Sequence, residues 1–377
     1  MSADDPLYVG LMSGTSVDAI DSALVRCLPK GVEIVATHQH AIPPELKRQI
    51  AAISHSGADE IERMGTLDRE LGLLFADATL QLLATAGIQP RQIKAIGSHG
   101  QTIRHRPPST APHSMASFTL QIGDPNTIAE LTGITTVADF RRRDLAAGGE
   151  GAPLAPAFHA SALAQPGVNR AIVNIGGIAN ATVLTGDELQ MGFDTGPGNT
   201  LLDHWISRHS GYAYDHDGAW SAGGQANPAL LEQLLRHPYF QQEGPRSTGK
   251  ETFNLPWLDS NLEEFTDITA QDVQATLVEL TSYTIANAVK SCPFEVAEVY
   301  VCGGGSHNAH LMQRLTLHMA PATVANTAAL GMDPDWVEAA TFAWLASQTL
   351  NGLAGNSQRV TGAAGGRVLG GVYCGGA

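Results

Sequence analysis

Arg170-Ala171-Ile172-Val173-Asn174-Ile175-Gly176-Gly177-Ile178-Ala179-Asn180-Ala181-Thr182-Val183-Leu184 is the stretch on which the fold turns. Arg170–Asn174 and Ala179–Leu184 are short runs rich in apolar, β-branched residues, and they flank a Gly-Gly turn, which is a hairpin signal. The chain opens on the same design: Tyr8–Met12, the turn Ser13-Gly14-Thr15-Ser16, then Ile20–Val25, with Val32–Ala36 as a third strand. Two glycine-turned hairpins so far apart read as an internal duplication, one hairpin opening each of two domains. The competing reading is a chance likeness of two hairpins.

Further out, helix and strand patterns alternate. Met64, Leu67, Leu71, Leu74, Ala78 and Leu82 fall three or four apart and predict one long helix over Glu60–Ala86, stopped by Gly87. Lys94–Gly97 is a strand that runs into Ser98-His99-Gly100-Gln101-Thr102. Pro107, Pro108 and Pro112 make 105–117 a loop. Pro153–Ala164 is a small helix. Leu189–Phe193 is a strand ending at the turn Asp194-Thr195-Gly196-Pro197-Gly198-Asn199, followed by a helix over 200–209. Thr269 caps a long helix to Lys290, with Asp272 three residues on. Glu298–Cys302 is a strand, Gly303-Gly304-Gly305-Ser306 its turn, His307–His318 a helix and 334–350 the last helix. Strands alternating with helices define an α/β protein.

Composition narrows the function classes. With 377 residues, 43% of them hydrophobic, the chain has material for two cores. Asp and Glu outnumber Lys and Arg by 37 to 22, a net charge of −15, the wrong sign for a general nucleic-acid binder. No apolar run of about 18 residues is long enough to span a membrane, and the N-terminus has no pattern of a signal peptide. Cys27, Cys292, Cys302 and Cys374 form no pair at metal or redox spacing, so they read as reduced thiols of a cytoplasmic protein.

Three glycine-rich turns each follow a strand: Ser13–Ser16, Asp194–Gly198 and Gly303–Ser306. Backbone N–H groups of such turns, with a helix N-terminus behind them, bind anions. Together they suit a split nucleotide site, one hairpin from each domain at the β- and γ-phosphates and the third turn at the adenosine. That is the plan of the actin, sugar kinase and heat-shock chaperone ATPase superfold. Gly244-Pro245-Arg246-Ser247-Thr248-Gly249-Lys250 nearly spells a Walker A loop, but Glu251 stands where the Mg²⁺-binding hydroxyl belongs. It reads as a loop whose Arg246 and Lys250 could face the active-site cleft. Asp194, at a strand end beside the expected phosphates, is either a general base or a carboxylate that caps the turn. Asp18 and Asp21 either hold Mg²⁺ through water or shape the first turn. Arg141, Arg142 and Arg143 are the densest basic cluster of an acidic chain, either a solvated face or a site for an anionic group.

The segments Tyr8–Asp18, Gly97–Thr102, Asp139–Arg141, Asn174–Asn180, Gly192–Asn199 and Cys302–Gly305 resemble, in order and over almost the whole chain, the anhydro-N-acetylmuramic acid kinase family. The family's first turn reads G-T-S-x-D-G-x-D, and here Ala19 takes the place of its later glycine. The resemblance implies a two-domain actin-like (ribonuclease H-like) fold with a cleft between duplicated domains. The expected domains are 1–145 and 146–377, with the last helix packing back on the first. It implies an ATP- and Mg²⁺-dependent enzyme. The reaction converts 1,6-anhydro-N-acetylmuramic acid, ATP and water to N-acetylmuramic acid 6-phosphate and ADP, in cell-wall recycling in a bacterial cytoplasm. A homodimer is also implied. Carried over by position, Gly14, Thr15, Ser16, Val17, Asp18, Ala19, Ile20 and Asp21 form the first phosphate segment, with Asp18 on Mg²⁺ through water. Gly176, Gly196, Gly198, Asn199, Gly303, Gly304 and Gly305 complete the ATP site. Asp194 matches the catalytic base. Glu338 matches an acidic residue on the sugar, and His99, Gln101 and Arg142 are further sugar-site candidates. An arginine of the 141–143 cluster is the candidate for the lactyl carboxylate. The alternatives are another sugar or acetate kinase of the superfold, in which no water oxygen enters the product, and a non-catalytic sugar or nucleotide sensor.

Overall fold

The computed structural model describes residues 5–14, 17–28, 31–110, 116–242, 248–249 and 252–376. They form two compact units, one of residues 1–163 with 336–377, the other of residues 164–335.

In the first unit β1 (Leu7–Met12), β2 (Ala19–Cys27) and β3 (Val32–Ala41) make an antiparallel meander. β4 (Ile93–Ser98) pairs parallel with β1. β5 (Gln101–Arg106) and β6 (Phe118–Ile122) form a separate hairpin, and β7 (Thr136–Ala138) pairs parallel with β4. A last short strand, Gly371–Tyr373, closes the sheet against β7. The sheet order is thus β3-β2-β1-β4-β7 and then that closing strand. In the second unit β8 (Asn169–Ile175), β9 (Ile178–Thr185) and β10 (Glu188–Pro197) form the meander. β11 (Glu298–Cys302) and β12 (Thr323–Asn326) add parallel strands, and the order is β10-β9-β8-β11-β12. Meander, then parallel strands, in the same spatial order: the duplication read from two hairpins holds for whole sheets. It makes each unit a ribonuclease H-like α/β layer structure.

The helices follow from their apolar stripes. Glu60–Ala86 buries Leu67, Leu71, Phe75, Ala78 and Leu82 and ends at Gly87 in the left-handed conformation (φ 68°). In the second unit Thr269 accepts the Asp272 N–H at 3.1 Å and so caps the helix Ala270–Lys290. The helix Val337–Leu350, rather than 334–350, packs on β1, β2 and β4 of the first unit. Glycine makes that packing possible. A Cβ on Gly10 of β1 would lie 1.8 Å from the Ala339 carbonyl oxygen, and one on Gly97 of β4 would lie 2.0 Å from that of Phe342.

Three expectations move. The first unit continues past 145 to Leu163, because the helix Ala155–Leu163 belongs to its core; Phe158 packs on Trp344, ring centroids 5.9 Å apart. Part of 105–117 is strand, with the prolines confined to the connection between β5 and β6. The expected turn at Asp194 is still β10, which runs to Pro197. Among the described residues no helix is long and apolar enough to cross a membrane.

Candidate active site

β1, β4 and β7 run parallel, so the segments that follow them emerge at one end of the first sheet. Ser13-Gly14 follows β1, His99 follows β4 and Arg141 follows β7. The Ser13 hydroxyl donates to Gln101 Oε1 at 2.6 Å, both residues buried, so Gln101 holds the base of the first turn. A Cβ on Gly14 would meet nothing within 4 Å, which leaves its backbone open to an approaching anion. Val17, not Ala19, takes the positive φ of this turn (56°), and Ala19 is already paired in β2 with Ala41. The family's glycine is therefore not needed here for its conformational freedom. Ile20 is buried. Asp18 is exposed and ion-paired with Lys47 of the helix Pro44–Ile53, while Asp21 accepts from Gln39 Nε2 at 3.0 Å. Thr15 and Ser16 lie outside the described residues.

His99 is buried against Phe342, ring centroids 4.7 Å apart. Its Nε2 accepts from Arg141 Nε at 3.1 Å and lies 2.9 Å from Arg141 Nη2. A guanidinium only donates, so the imidazole is neutral with its proton on Nδ1. Burial, reinforced by the Arg141 charge, holds His99 well below the usual histidine range. Arg141 also donates from Nη1 to the Gly151 carbonyl at 2.9 Å. Burial lowers the guanidinium to about 10, against the pull of Glu338 and Asp144, so it stays cationic at neutral pH. Glu338, in the first turn of the helix Val337–Leu350, is half-buried. Its carboxyl is pushed up by burial and by the neighbouring Asp21, and Arg141 opposes the shift. His99, Arg141, Glu338 and Asp21 thus form one electrostatic cluster around a permanently charged donor. Arg142 does not join it: 62% exposed, it donates to Asp139 at 2.8 Å. No spacing in the sequence distinguishes Arg141 from its two neighbours. The distinction arises because Arg141 precedes the helix Arg142–Ala146 and turns back to Gly151.

In the second unit β8, β10 and β11 are mutually parallel, and their turns again share one end. Gly198 N–H donates to Gly177 O at 3.0 Å and Asn199 N–H to Gly176 O at 2.8 Å. Asn199 Nδ2 reaches Ile175 O at 3.1 Å. A Cβ on Gly198 would lie 2.3 Å from Gly176 O, one on Gly303 2.3 Å from Asn174 Oδ1, and one on Gly305 2.3 Å from the Ile175 side chain. The three turns therefore interlock because they lack side chains. By contrast, Cβ atoms on Gly176 and Gly304 would meet nothing closer than 3.7 Å, so their backbone is exposed to a ligand. The hydroxyls of Thr200 and Ser306, buried beside these turns, have no partner among the described residues.

Asp194 sits in β10 at a register shift opposite Asn180 and Ala179, and such a bulge re-aims a side chain. Its Oδ2 accepts the Thr248 N–H at 2.9 Å, and its carbonyl accepts the Tyr239 hydroxyl at 2.6 Å. The false Walker segment therefore reaches the carboxylate through its backbone. Arg246 and Lys250 lie outside the described residues. Two residues beyond Asp194, Gly196 has φ 144° and would place a Cβ 2.9 Å from Phe240, so the bulge also requires glycine.

These units define a duplicated ribonuclease H-like α/β protein of the actin-like class, with glycine turns shaped for anions. The chain belongs to the anhydro-N-acetylmuramic acid kinase family, whose profile matches residues 6–375. It is 50% identical over 369 residues to the anhydro-N-acetylmuramic acid kinase of Shewanella loihica, covering 98% of each chain. It is 52% identical over 372 residues to that of Coxiella burnetii, covering 98% of this chain and 97% of the relative.

Proposed function

We propose that this chain is an ATP-dependent kinase that opens 1,6-anhydro-N-acetylmuramic acid with water and phosphorylates O6, giving N-acetylmuramic acid 6-phosphate and ADP. The observation that carries the reading is family membership across residues 6–375. The glycine turns with open backbone in each unit support the binding of anionic phosphates.

In this reading the segment Gly14 to Asp21 lies at the phosphates in the first unit, and the open backbone of Gly14 receives their oxygens. In the second, Gly176 presents open backbone to them, Gly196, Gly198 and Asn199 shape the turn beside it, and Gly303 to Gly305 take the adenosine. Asp18, exposed beside the open turn and ion-paired with Lys47, would hold Mg²⁺ through water in place of that pair; such an ion would offset charge on the transferring phosphoryl group. Asp194 takes the proton from the water that attacks C1. The bridging oxygen O6 leaves C1 and bonds to the γ-phosphorus as the bond from that phosphorus to ADP breaks, so phosphoryl transfer replaces the proton that a glycosidase acid would supply. The Thr248 N–H fixes the Asp194 carboxylate for this task. Arg141, the cation of the first unit's cluster, takes the sugar's lactyl carboxylate, and Glu338 and His99 contact the sugar. Family membership likewise supports a homodimer in a bacterial cytoplasm.

Asp194→Asn tests the base. Turnover should fall by about 10³-fold or more while ATP affinity stays near normal, because only the proton acceptor is lost. Near-normal turnover of the Asn variant would end the assignment.

A further inference from the structure

Asp144 is fully buried, yet neither the phosphate turns nor the sugar cluster accounts for it. A buried carboxylate persists only where hydrogen bonds and charge compensate its lost hydration. Here Oδ2 accepts the Gly151 N–H at 2.8 Å, and Oδ1 accepts from Asn356 Nδ2 at 2.5 Å and from the Thr361 hydroxyl at 2.7 Å. Two of its donors come from near the C-terminus. The same segment is zipped to the glycine loop by Glu150 N–H to Thr361 O and Ala364 N–H to Ala147 O, both 2.8 Å. Gly149 is required for this approach, since a Cβ there would lie 2.2 Å from Asp144 Oδ2. The residue whose N–H Asp144 holds, Gly151, presents its carbonyl to Arg141 Nη1, and Arg141 in turn holds His99 Nε2. A continuous chain of hydrogen bonds therefore runs from Asn356 and Thr361 through Asp144, Gly151 and Arg141 to His99.

We propose that Asp144 is a positioning residue for the sugar: pinned by Asn356 and Thr361, it fixes the Gly151 carbonyl that aims Arg141. The C-terminal segment, which holds no residue of the ATP or sugar site, is then part of substrate selection. This rests on the reading of Arg141 as a sugar-binding residue. Loss of the anchor lets the guanidinium turn away, which weakens binding of an anionic sugar and leaves the nucleotide turns untouched.

The experiment is a double-mutant cycle on the full-length enzyme, with KM for 1,6-anhydro-N-acetylmuramic acid and for ATP measured separately. Arg141→Ala should raise the sugar KM by about tenfold or more, and Asp144→Asn should do the same while the ATP KM stays within about twofold. In the Arg141→Ala background, Asp144→Asn should add less than about twofold, because its target is gone. The ¹⁵N resonance of His99 Nε2 should also lose its hydrogen-bonded shift in Asp144→Asn, which a general loss of stability would not cause. If Asp144→Asn does not fold, Thr361→Val, which removes one donor without touching the loop, serves in the same cycle. If Arg141→Ala leaves the sugar KM unchanged, both the Arg141 reading and this inference fail. If Arg141→Ala raises it but the two effects multiply, or the ATP KM rises equally, the inference alone fails.

Discussion

Gly10→Ala should be among the costliest single-methyl changes in this chain. The added Cβ would lie 1.8 Å from the Ala339 carbonyl oxygen and 2.7 Å from the Ala343 amide nitrogen, both backbone atoms of the helix Val337–Leu350. Neither can swing aside as a side chain would, so the helix must retreat by about 1.6 Å to regain an ordinary contact. It carries Ala339, Ala340, Ala343, Leu345 and Ala346 essentially fully buried, and each loses contacts in the retreat. Overpacking of this kind costs typically about 1–3 kcal/mol, and two backbone partners put Gly10 near about 3. For a unit of roughly 200 residues, about 3 kcal/mol lowers the melting midpoint by about 6–12 °C. Glu338 rides on the first turn of the same helix, so the sugar KM should rise too. Scanning calorimetry of Gly10→Ala beside Gly14→Ala checks both points. Gly14 faces open space, so its variant should stay within about 0.5 kcal/mol of wild type in stability. Its methyl would instead crowd the phosphates and raise the ATP KM. A Gly10→Ala midpoint within about 2 °C of wild type would refute the claim that glycine sets the helix-to-sheet distance.

Acid should destabilise the protein well before its carboxylates titrate. Burial holds His159 at about 3 and His105 at about 4, and His99 well below 6.5, so all three stay neutral in the folded state. The unfolded chain takes up protons below about pH 6.5, so each such histidine withdraws about 1.4 kcal/mol per pH unit from there down to its folded value. Urea midpoints should fall steeply from pH 6.5 to 4.5 and less steeply in His159→Phe; an unchanged slope in that variant would contradict its buried, neutral state. Arg142→Ala should change sugar KM and stability by less than about 1 kcal/mol, since its ion pair with Asp139 is exposed. A tenfold loss of activity would move the sugar cation from Arg141 to Arg142.

Much of the fold was legible because its signals are local. The helix Glu60–Ala86 shows a regular apolar stripe and a terminal glycine, and both hairpins carry their turns in their own sequence. The hairpin of β5 and β6 was masked by prolines that lie only in its connection. Asp194 read as a turn residue because glycine and proline follow it, whereas a bulge absorbs them within β10. The domain boundary was missed because what extends the first unit is non-local. Phe158 of the helix Ala155–Leu163 packs on Trp344, far along the chain. The choice of Arg141 over Arg142 has the same origin, for Gly151 and His99 select it and no periodicity marks it.

The central claim is that one event both opens the anhydro ring with water and phosphorylates O6. It is tested most directly by incubating the enzyme with Mg²⁺, ATP and 1,6-anhydro-N-acetylmuramic acid in heavy-oxygen water and weighing the product. The account predicts a reducing sugar 6-phosphate carrying one heavy oxygen at C1. A phosphorylated sugar without that oxygen would mean that a substrate hydroxyl attacks ATP directly, and no ADP release above background would mean that the chain only binds its ligands.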